Sequence, residues 1–258
     1  DFPNHHPDPS DADNLIDCQK NIIKNNLDIG LAFDGDGDRL GVIDDLGRVI
    51  SGDKILLLLA KELLKKKKIK VIADVKCSQV LFNEIKRLGG EIIMSQTGHS
   101  HVKNNLKKFK AELAGEMSGH IFFADNYYGF DDALYAAVKM LEIINDNEKK
   151  LSELVDEIPM LYNTPEIRVE CDDESKFKII EEVLSNIKTT KNEIICIDGV
   201  RVTNEEGWWL LRASNTQPCI VLRCESISQV GLKNQLLKVK EAVKEFDTKI
   251  SQKIVVEN

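Results

Sequence analysis

The sequence predicts an α/β protein followed by an α+β domain, on three observations. Short apolar strands alternate with amphipathic helices over residues 53–158, the pattern of a mixed, mostly parallel sheet layered with helices. After Pro159 and Thr164-Pro165 the order changes to strand, helix, two or three consecutive strands and a last helix. Ahead of both regions, between two strands, lies Asp34-Gly35-Asp36-Gly37-Asp38-Arg39, a loop of alternating carboxylates and glycines.

Composition bounds what such a chain can do. Its 258 residues hold about two domains, on a prior of roughly 100–200 residues each. Hydrophobic residues at 42% and charged residues at 30% fit a globular protein rather than a disordered one. The longest apolar run, 55–60, falls far short of the roughly 20 residues that cross a bilayer, so no membrane partner is expected. A net charge of −8 argues against a nucleic-acid partner, which would need clustered cations. Lys65-Lys66-Lys67-Lys68 reads instead as the solvated end of a helix, where cations complement the dipole. Cys18, Cys77, Cys171, Cys196, Cys219 and Cys224 form no C-x-x-C pair, and read as free thiols of a cytoplasmic protein. Asp1-Phe2-Pro3-Asn4 carries neither an initiator Met nor a signal pattern, so the chain is expected to be cut from a longer one.

Taken in order, residues 1–26 hold Pro3, Pro7 and Pro9 and predict irregular chain with a short helix over 13–24. Residues 28–33 form an apolar strand, and 40–43 with 48–50 flank the turn Asp44-Asp45-Leu46-Gly47 as a hairpin. Asp53 is expected to cap a helix running through Leu64, with a strand over 70–75 after it. Ser78 caps the next helix, whose Val80, Leu81, Ile85 and Leu88 share a face before Gly89-Gly90 ends it. Strands over 91–94, 111–114 and 121–123 follow, and a helix over 131–144 is expected to bury Leu134, Val138, Leu141 and Ile144. Pro159 and Pro165, with Asn163 between them, predict a hinge. Beyond it come a strand over 166–171, a helix over 174–187, strands over 194–202, 208–212 and 220–225, and a helix over 229–246. Trp208-Trp209 reads as core with one exposed face.

Three loops carry chemistry. Asp34, Asp36 and Asp38 can converge hard oxygen ligands on one cation, with Gly35 and Gly37 allowing backbone angles that other residues resist. Mg²⁺ suits that set, whereas Arg39 at the sixth loop position and Asp45 at the twelfth rule out an EF-hand. The competing reading is a solvated acidic turn. Gly115-Glu116-Met117-Ser118-Gly119-His120 presents a carboxylate and a hydroxyl suited to vicinal sugar hydroxyls, or is only a hairpin connection. Arg212-Ala213-Ser214-Asn215-Thr216-Gln217-Pro218 can fork an arginine onto a phosphate with neutral donors beside it, or is a polar turn. Lys76, His99 and His120 each follow a predicted strand, on the usual ligand side of a parallel sheet; a structural histidine is as common there as a catalytic one.

These loops in this order, with Thr97-Gly98-His99 and Phe130-Asp131-Asp132 between them, resemble the α-D-phosphohexomutases, bacterial phosphomannomutase/phosphoglucomutase branch. The resemblance runs from Phe2-Pro3-Asn4-His5-His6-Pro7-Asp8-Pro9 to the last helix. Met117 and Ser214-Asn215-Thr216 look like the mannose/glucose type rather than the glucosamine type. That family arranges four domains around one cleft. The resemblance implies that 1–52 is the latter part of domain 2 with the metal loop. It makes 53–162 an α/β domain 3 with the sugar loop, and 163–258 an α+β domain 4 with the phosphate loop.

The implied reaction passes a phosphoryl group between a phosphoserine and mannose or glucose 1- or 6-phosphate through a bisphosphate. Asp34, Asp36 and Asp38 would hold Mg²⁺ and Arg39 would border the reacting oxygen, with Lys76, His99 and His120 as further catalytic groups. Glu116 and Ser118 would hold sugar hydroxyls, and Arg212, Ser214, Asn215 and Thr216 the idle phosphate. The family's Thr-Ala-Ser-His-Asn-Pro-like nucleophile motif does not occur in these residues, and neither Ser10 nor Ser78 has the flanks to replace it. The chain is therefore expected to lack the N-terminal domains and to be inactive alone. A non-catalytic module binding metal and phosphosugar is one rival, and a phosphatase with Asp34 as nucleophile is another.

Overall fold

The structure, a computed structural model, describes residues 2–187 and 193–255. Asp1, the first residue of the stretch that predicts an upstream cut, lies outside them. The chain forms two compact units, Asp1–Pro159 and Met160–Asn258.

In the first unit a 3-10 turn leads into helix α1 (Ile16–Asn25), followed by strands β1 (Ile29–Phe33), β2 (Leu40–Asp44) and β3 (Val49–Ile50). The strands make a three-stranded antiparallel sheet, with Leu15, Ile22 and Ile43 buried between it and α1. Next come α2 (Gly52–Lys66), β4 (Lys70–Asp74), α3 (Gln79–Arg87), β5 (Glu91–Ser95), α4 (His99–Phe109), β6 (Leu113–Gly115), β7 (Ile121–Phe123), α5 (Ala133–Asp146) and α6 (Leu151–Asp156). Their sheet runs β5-β4-β6-β7, parallel except for the antiparallel edge β7. Because β5 and β6 lie on opposite sides of β4, the strand order reverses there. The crevice beyond the C-terminal ends of such strands is where α/β sheets place ligands. Lys76, His99 and Glu116 follow β4, β5 and β6 at that end.

Several local expectations need correction. Helix α2 starts at Gly52 after an extended Ser51, so Asp53 is inside the first turn and not its cap. The buried Asp53 carboxylate instead accepts the Ser51 hydroxyl at 2.5 Å and the Ser78 N–H at 2.9 Å, tying the starts of two helices together. On α3, Val80, Leu81 and Ile85 are buried while Leu88 sits exposed beyond the last turn. Helix α5 begins at Ala133, because Asp132 caps it by accepting the Tyr135 N–H. Its buried face is Ala133, Ala136, Ala137, Met140 and Ile143; Leu134, Val138 and Leu141 are 63%, 52% and 44% exposed, and Ile144 is only partly buried.

The second unit contains β8 (Tyr162–Asn163), β9 (Ile167–Glu170), α7 (Asp173–Asn186), β10 (Glu193–Ile195), β11 (Val200–Asn204), β12 (Gly207–Ala213), β13 (Cys219–Ser226), α8 (Gln229–Lys244) and α9 (Thr248–Lys253). Its antiparallel sheet runs β10-β11-β12-β13-β8, with β9 also paired to β13. One face packs Val200, Val202, Trp209, Leu211, Ile220 and Leu222 against Val183, Leu236, Val239 and Val243 of the helices. The single strand expected over 194–202 is two strands. Gly199 turns the chain between them at φ +77, where a Cβ would lie 2.3 Å from the Leu211 carbonyl oxygen. Neither tryptophan is exposed: Trp208 donates its indole N–H to Glu225 at 2.8 Å, and Trp209 joins the core. Helices α4, α6 and α9 and strand β8 are elements that the sequence pattern does not single out. No helix among the described residues is long and apolar enough to cross a membrane.

Candidate active site

The acidic loop is a tight knot around Asp34. One carboxylate oxygen accepts the N–H groups of Gly37, Asp38 and Arg39 at 3.1, 3.0 and 3.1 Å, and the other accepts Arg39 Nε at 2.6 Å. Burial alone would raise the Asp34 pKa, but these bonds outweigh it and hold the carboxyl at about 2. Gly37 adopts φ +76, which an L side chain resists; Gly35 has no positive φ, so only one of the two glycines is needed for its backbone angle. Asp36 is exposed and Asp38 half-buried, and one oxygen from each of the three carboxylates falls within 4.8 Å of the others. The Asp38 pKa is raised, first by burial and then by Asp34 and Asp36. Crowded carboxylates of this kind, all hard oxygen donors, fit a Mg²⁺ ion.

The second loop abuts the first. Leu40 N donates to the Gly119 carbonyl at 3.0 Å, Arg39 and His120 form an isolated β-bridge, and Ala133 N donates to the Gly37 carbonyl at 3.1 Å. Gly119 has φ +97, and a Cβ there would lie 2.6 Å from the Leu40 carbonyl, so glycine is what lets the two backbones close. His120 sits at the junction. Its Nδ1 is 2.8 Å from Ser118 Oγ and 3.3 Å from Glu116 Oε2, and its Nε2 is 3.4 Å from Asp38 Oδ1. Burial would lower the imidazole pKa, but the bond to Glu116 and the charges of Glu116, Asp38 and Asp131 raise it overall.

Glu116 is 2% exposed, its Oε1 accepting the Gly98 N–H at 2.6 Å. It therefore organises His120 and the Thr97-Gly98-His99 turn as well as facing the loop. His99 is exposed, its Nδ1 3.1 Å from Asp131 Oδ2 and its ring centroid 5.7 Å from that of His120. Lys76 is buried with Nζ 3.9 Å from Asp74 Oδ2, and Asp74 Oδ1 is 3.4 Å from Met117 N. The first unit thus gathers Asp34, Asp36, Asp38, Arg39, His99, Glu116, Ser118 and His120 in contacting loops, with Lys76 linked through Asp74.

Arg212, Ser214, Asn215 and Thr216 belong to the second unit. Arg212 is buried and donates Nε to Asp198 Oδ2 at 2.9 Å. Ser214 Oγ accepts the Thr216 and Gln217 N–H groups at 3.4 and 3.2 Å, and Asn215 and Thr216 are exposed at the loop tip.

Four residues that sequence reasoning gave no role are Asp8, Asp74, Asp131 and Asp198. Asp8 accepts Arg39 Nη1 at 2.9 Å, completing a carboxylate pair around that guanidinium. Asp131 stands in Phe130-Asp131-Asp132, and Asp74 ends a buried strand, a costly place for a charge and so a usable signal. Asp198 carried none, since its partner lies across a strand pairing.

Family models described as phosphoglucomutase/phosphomannomutase alpha/beta/alpha domain II, alpha/beta/alpha domain III and C-terminal domain match residues 1–47, 51–162 and 166–242. A phosphomannomutase/phosphoglucomutase of Pseudomonas syringae pv. tomato is 44% identical over 232 residues, 90% of this chain and 50% of that protein. A phosphoglucomutase of Neisseria gonorrhoeae is 45% identical over 234 residues, 90% of this chain and 51% of that protein. The crystal structure of a phosphoglucomutase/phosphomannomutase family protein from Burkholderia thailandensis matches with TM-score 0.88 at 41% identity, over 95% of this chain and 52% of that one. The chain spans about half the length of these relatives. Its matched segments fall in sequence order on successive domains of one enzyme architecture, and the chain belongs to the phosphoglucomutase/phosphomannomutase family.

Proposed function

We propose that this chain is part of a cytoplasmic phosphomannomutase/phosphoglucomutase that interconverts hexose 1-phosphate and hexose 6-phosphate through a phosphoserine and a bisphosphate. Residues 1–52, 53–162 and 163–258 serve as the latter part of domain 2, domain 3 and domain 4, and the remaining domains carry the nucleophile. The observation that carries this reading is the junction at His120, which touches the acidic loop through Asp38 and the sugar loop through Ser118 and Glu116.

In this reading Asp34, Asp36 and Asp38 hold Mg²⁺, which when bound neutralises charge on the transferring phosphoryl group. Arg39, fixed by Asp34 and Asp8, aims a permanent cation at the same place. His120 and His99, each beside a carboxylate, take the proton from the sugar hydroxyl that receives the phosphoryl group and return one to the ester oxygen that gives it up. Lys76 adds positive charge from the β4 end. Glu116 and Ser118 orient the ring hydroxyls, and Arg212, Ser214, Asn215 and Thr216 grip the phosphate that is not reacting. Asp34 as a phosphatase nucleophile is disfavoured, since its two oxygens accept four hydrogen bonds.

Titration calorimetry with glucose 6-phosphate, mannose 6-phosphate and inorganic phosphate tests the assignment. Glu116→Gln is expected to weaken both sugar phosphates and to spare inorganic phosphate. Sugar phosphates bound no better than inorganic phosphate by the parent chain would refute it.

A further inference from the structure

We infer that Lys176, near the start of α7, is a positioning residue for the loop at 214–217, and that its buried ammonium holds that loop in the shape that grips a phosphate. The inference rests on the proposed reading of the loop as the phosphate loop. Lys176 meets the loop at its base: Nζ donates to the Gln217 carbonyl at 3.1 Å and lies 2.6 Å from Asp173 Oδ1. Strand β9 and the residue after it hold the same end. Arg168 Nη1 donates to Gln217 Oε1 at 2.6 Å, and Cys171 N donates to the Pro218 carbonyl at 3.0 Å. The tip, Asn215 and Thr216, is exposed.

Burial singles this lysine out. Its side chain is 4% exposed, whereas that of its ionic partner Asp173 is 75% exposed. An i, i+3 pair on a helix forms equally well with both side chains in water, so the ion pair alone gives no reason to bury the ammonium. Taking a cation out of water is strongly unfavourable unless the protein replaces its hydration. Part of the replacement here is a carbonyl of the loop, which ties the placing of Lys176 to the placing of Gln217. That carbonyl also accepts the Cys219 N–H at 2.9 Å, so the peptide after Gln217 is oriented by two donors. The Gln217 N–H in turn reaches Ser214 Oγ at 3.2 Å, beside the Thr216 N–H at 3.4 Å. A hydroxyl oxygen that accepts two N–H groups keeps its own proton to donate, and a donor is what a phosphate needs from Ser214. Lys176 thus acts on the phosphate through Gln217 and Ser214 without touching it.

Titration calorimetry with glucose 6-phosphate tests this on the 258-residue chain, with Lys176→Met, Lys176→Arg and Arg212→Ala beside the parent. Met keeps most of the side-chain volume and removes the donor, while Arg keeps the charge and the N–H groups. The expected result is an affinity about tenfold lower in Lys176→Met, as for the loss of one hydrogen bond from a charged group, and restored to within about twofold in Lys176→Arg. A side chain that only fills space gives the opposite order, with Met close to the parent and Arg worse. Far-ultraviolet circular dichroism establishes that each variant is folded. A measurement on the parent itself uses the nitrogen-15 resonance of the Lys176 ammonium, assigned by its loss in Lys176→Arg, which is expected to shift when glucose 6-phosphate is added. Lys176→Met binding like the parent while Arg212→Ala binds more weakly overturns the role of Lys176 and leaves the phosphate loop standing. So does an ammonium resonance that does not respond to the sugar phosphate. Arg212→Ala binding like the parent overturns the phosphate loop, and this inference with it.

Discussion

Arg39 Nε donates to Asp34 Oδ2 at 2.6 Å while the other oxygen of that carboxylate accepts three backbone N–H groups. The loop is therefore shaped before any cation arrives, and the exposed Asp36 is the carboxylate that can be changed without untying it. Mg²⁺ is expected to raise the melting temperature of the chain, by about 2.7 kcal/mol of stabilisation at a hundredfold excess over Kd. Asp36→Asn should abolish that response with little change in the melting temperature measured without Mg²⁺. Scanning calorimetry that finds the same Mg²⁺ shift in both proteins would contradict the ligand assignment.

Helix α5 supplies a prediction about packing. Met140 is fully buried and Leu141 is 44% exposed. Met140→Ala should cost about 2–5 kcal/mol through lost burial and a residual cavity. Leu141→Ser should fall within about 0.5 kcal/mol of the parent, as most surface changes do. Urea unfolding of both variants checks it, and a larger loss in Leu141→Ser would mean that the helix buries its other face.

That helix also shows where sequence reading stops. Most of the element order was legible because apolar periodicity and caps such as Ser78 are local, and the three loops were legible because their residue types are unusual together. On α5 both stripes are apolar, and the pattern favours the bulkier one, Leu134, Val138 and Leu141. The fold buries the small residues Ala133, Ala136 and Ala137 instead, which allow close approach to the sheet. Periodicity reports that a helix has apolar faces, not which of two meets the core. The partners within the site escaped for a different reason. Asp198 meets Arg212, and Asp8 meets Arg39, only after the chain has folded back over many residues.

The acid limb of the stability curve should report Asp45. Its carboxylate accepts the Ser152 N–H at 2.9 Å, joining the β2–β3 turn to the first turn of α6. Burial would raise its pKa, but the bond to Ser152 and the nearby Lys150 lower it below the ordinary 3.8. A depressed folded pKa means that its contribution is present above about pH 4, the unfolded value, and is lost as pH falls through the folded one. Asp45→Asn should be less stable than the parent at pH 6, with the difference shrinking below pH 4. A gap that stays constant down to pH 2 would remove Asp45 from the account.

Arg212 is committed to Asp198 before any phosphate is present, and this gives its two variants opposite signatures. Arg212→Ala removes a charge-assisted donor and should weaken glucose 6-phosphate binding by roughly 1.5–3 kcal/mol, about tenfold or more. It should also destabilise the second unit, by leaving Asp198 without its guanidinium. Asp198→Asn should destabilise too, yet bind the sugar phosphate as tightly as the parent or more tightly, because the guanidinium is released. Calorimetry in which Arg212→Ala binds like the parent would mean that the loop at 212–217 is only a turn.

Turnover depends on a nucleophile. Phosphoryl transfer through a phosphoenzyme needs an activated hydroxyl in line with the acceptor oxygen, and neither a bound cation nor a positioned sugar replaces it. These residues contain no Thr-Ala-Ser-His-Asn-Pro-like motif, and Ser78 is committed as the cap of α3, where its Oγ accepts the Val80 N–H at 3.1 Å. Ser10 is equally committed, its Oγ donating to Asp8 Oδ1 at 2.7 Å in a segment that buttresses Arg39. The purified chain is therefore expected to convert neither mannose 1-phosphate nor glucose 1-phosphate to the 6-phosphate, even with a trace of hexose bisphosphate as primer. A separately produced segment carrying the first domain and the start of the second is expected to restore measurable turnover, since the loops at 34–39, 115–120 and 212–218 are all on this chain. The restored rate should be well below that of an undivided enzyme. The three-stranded sheet β1-β2-β3 leaves Ile23 61% exposed on α1 and one edge of β1 without a strand partner among the described residues, so association of the two pieces must first cover that surface. A coupled assay for the 6-phosphate decides the matter, and robust turnover by the chain alone would show that one of its own side chains takes the phosphoryl group.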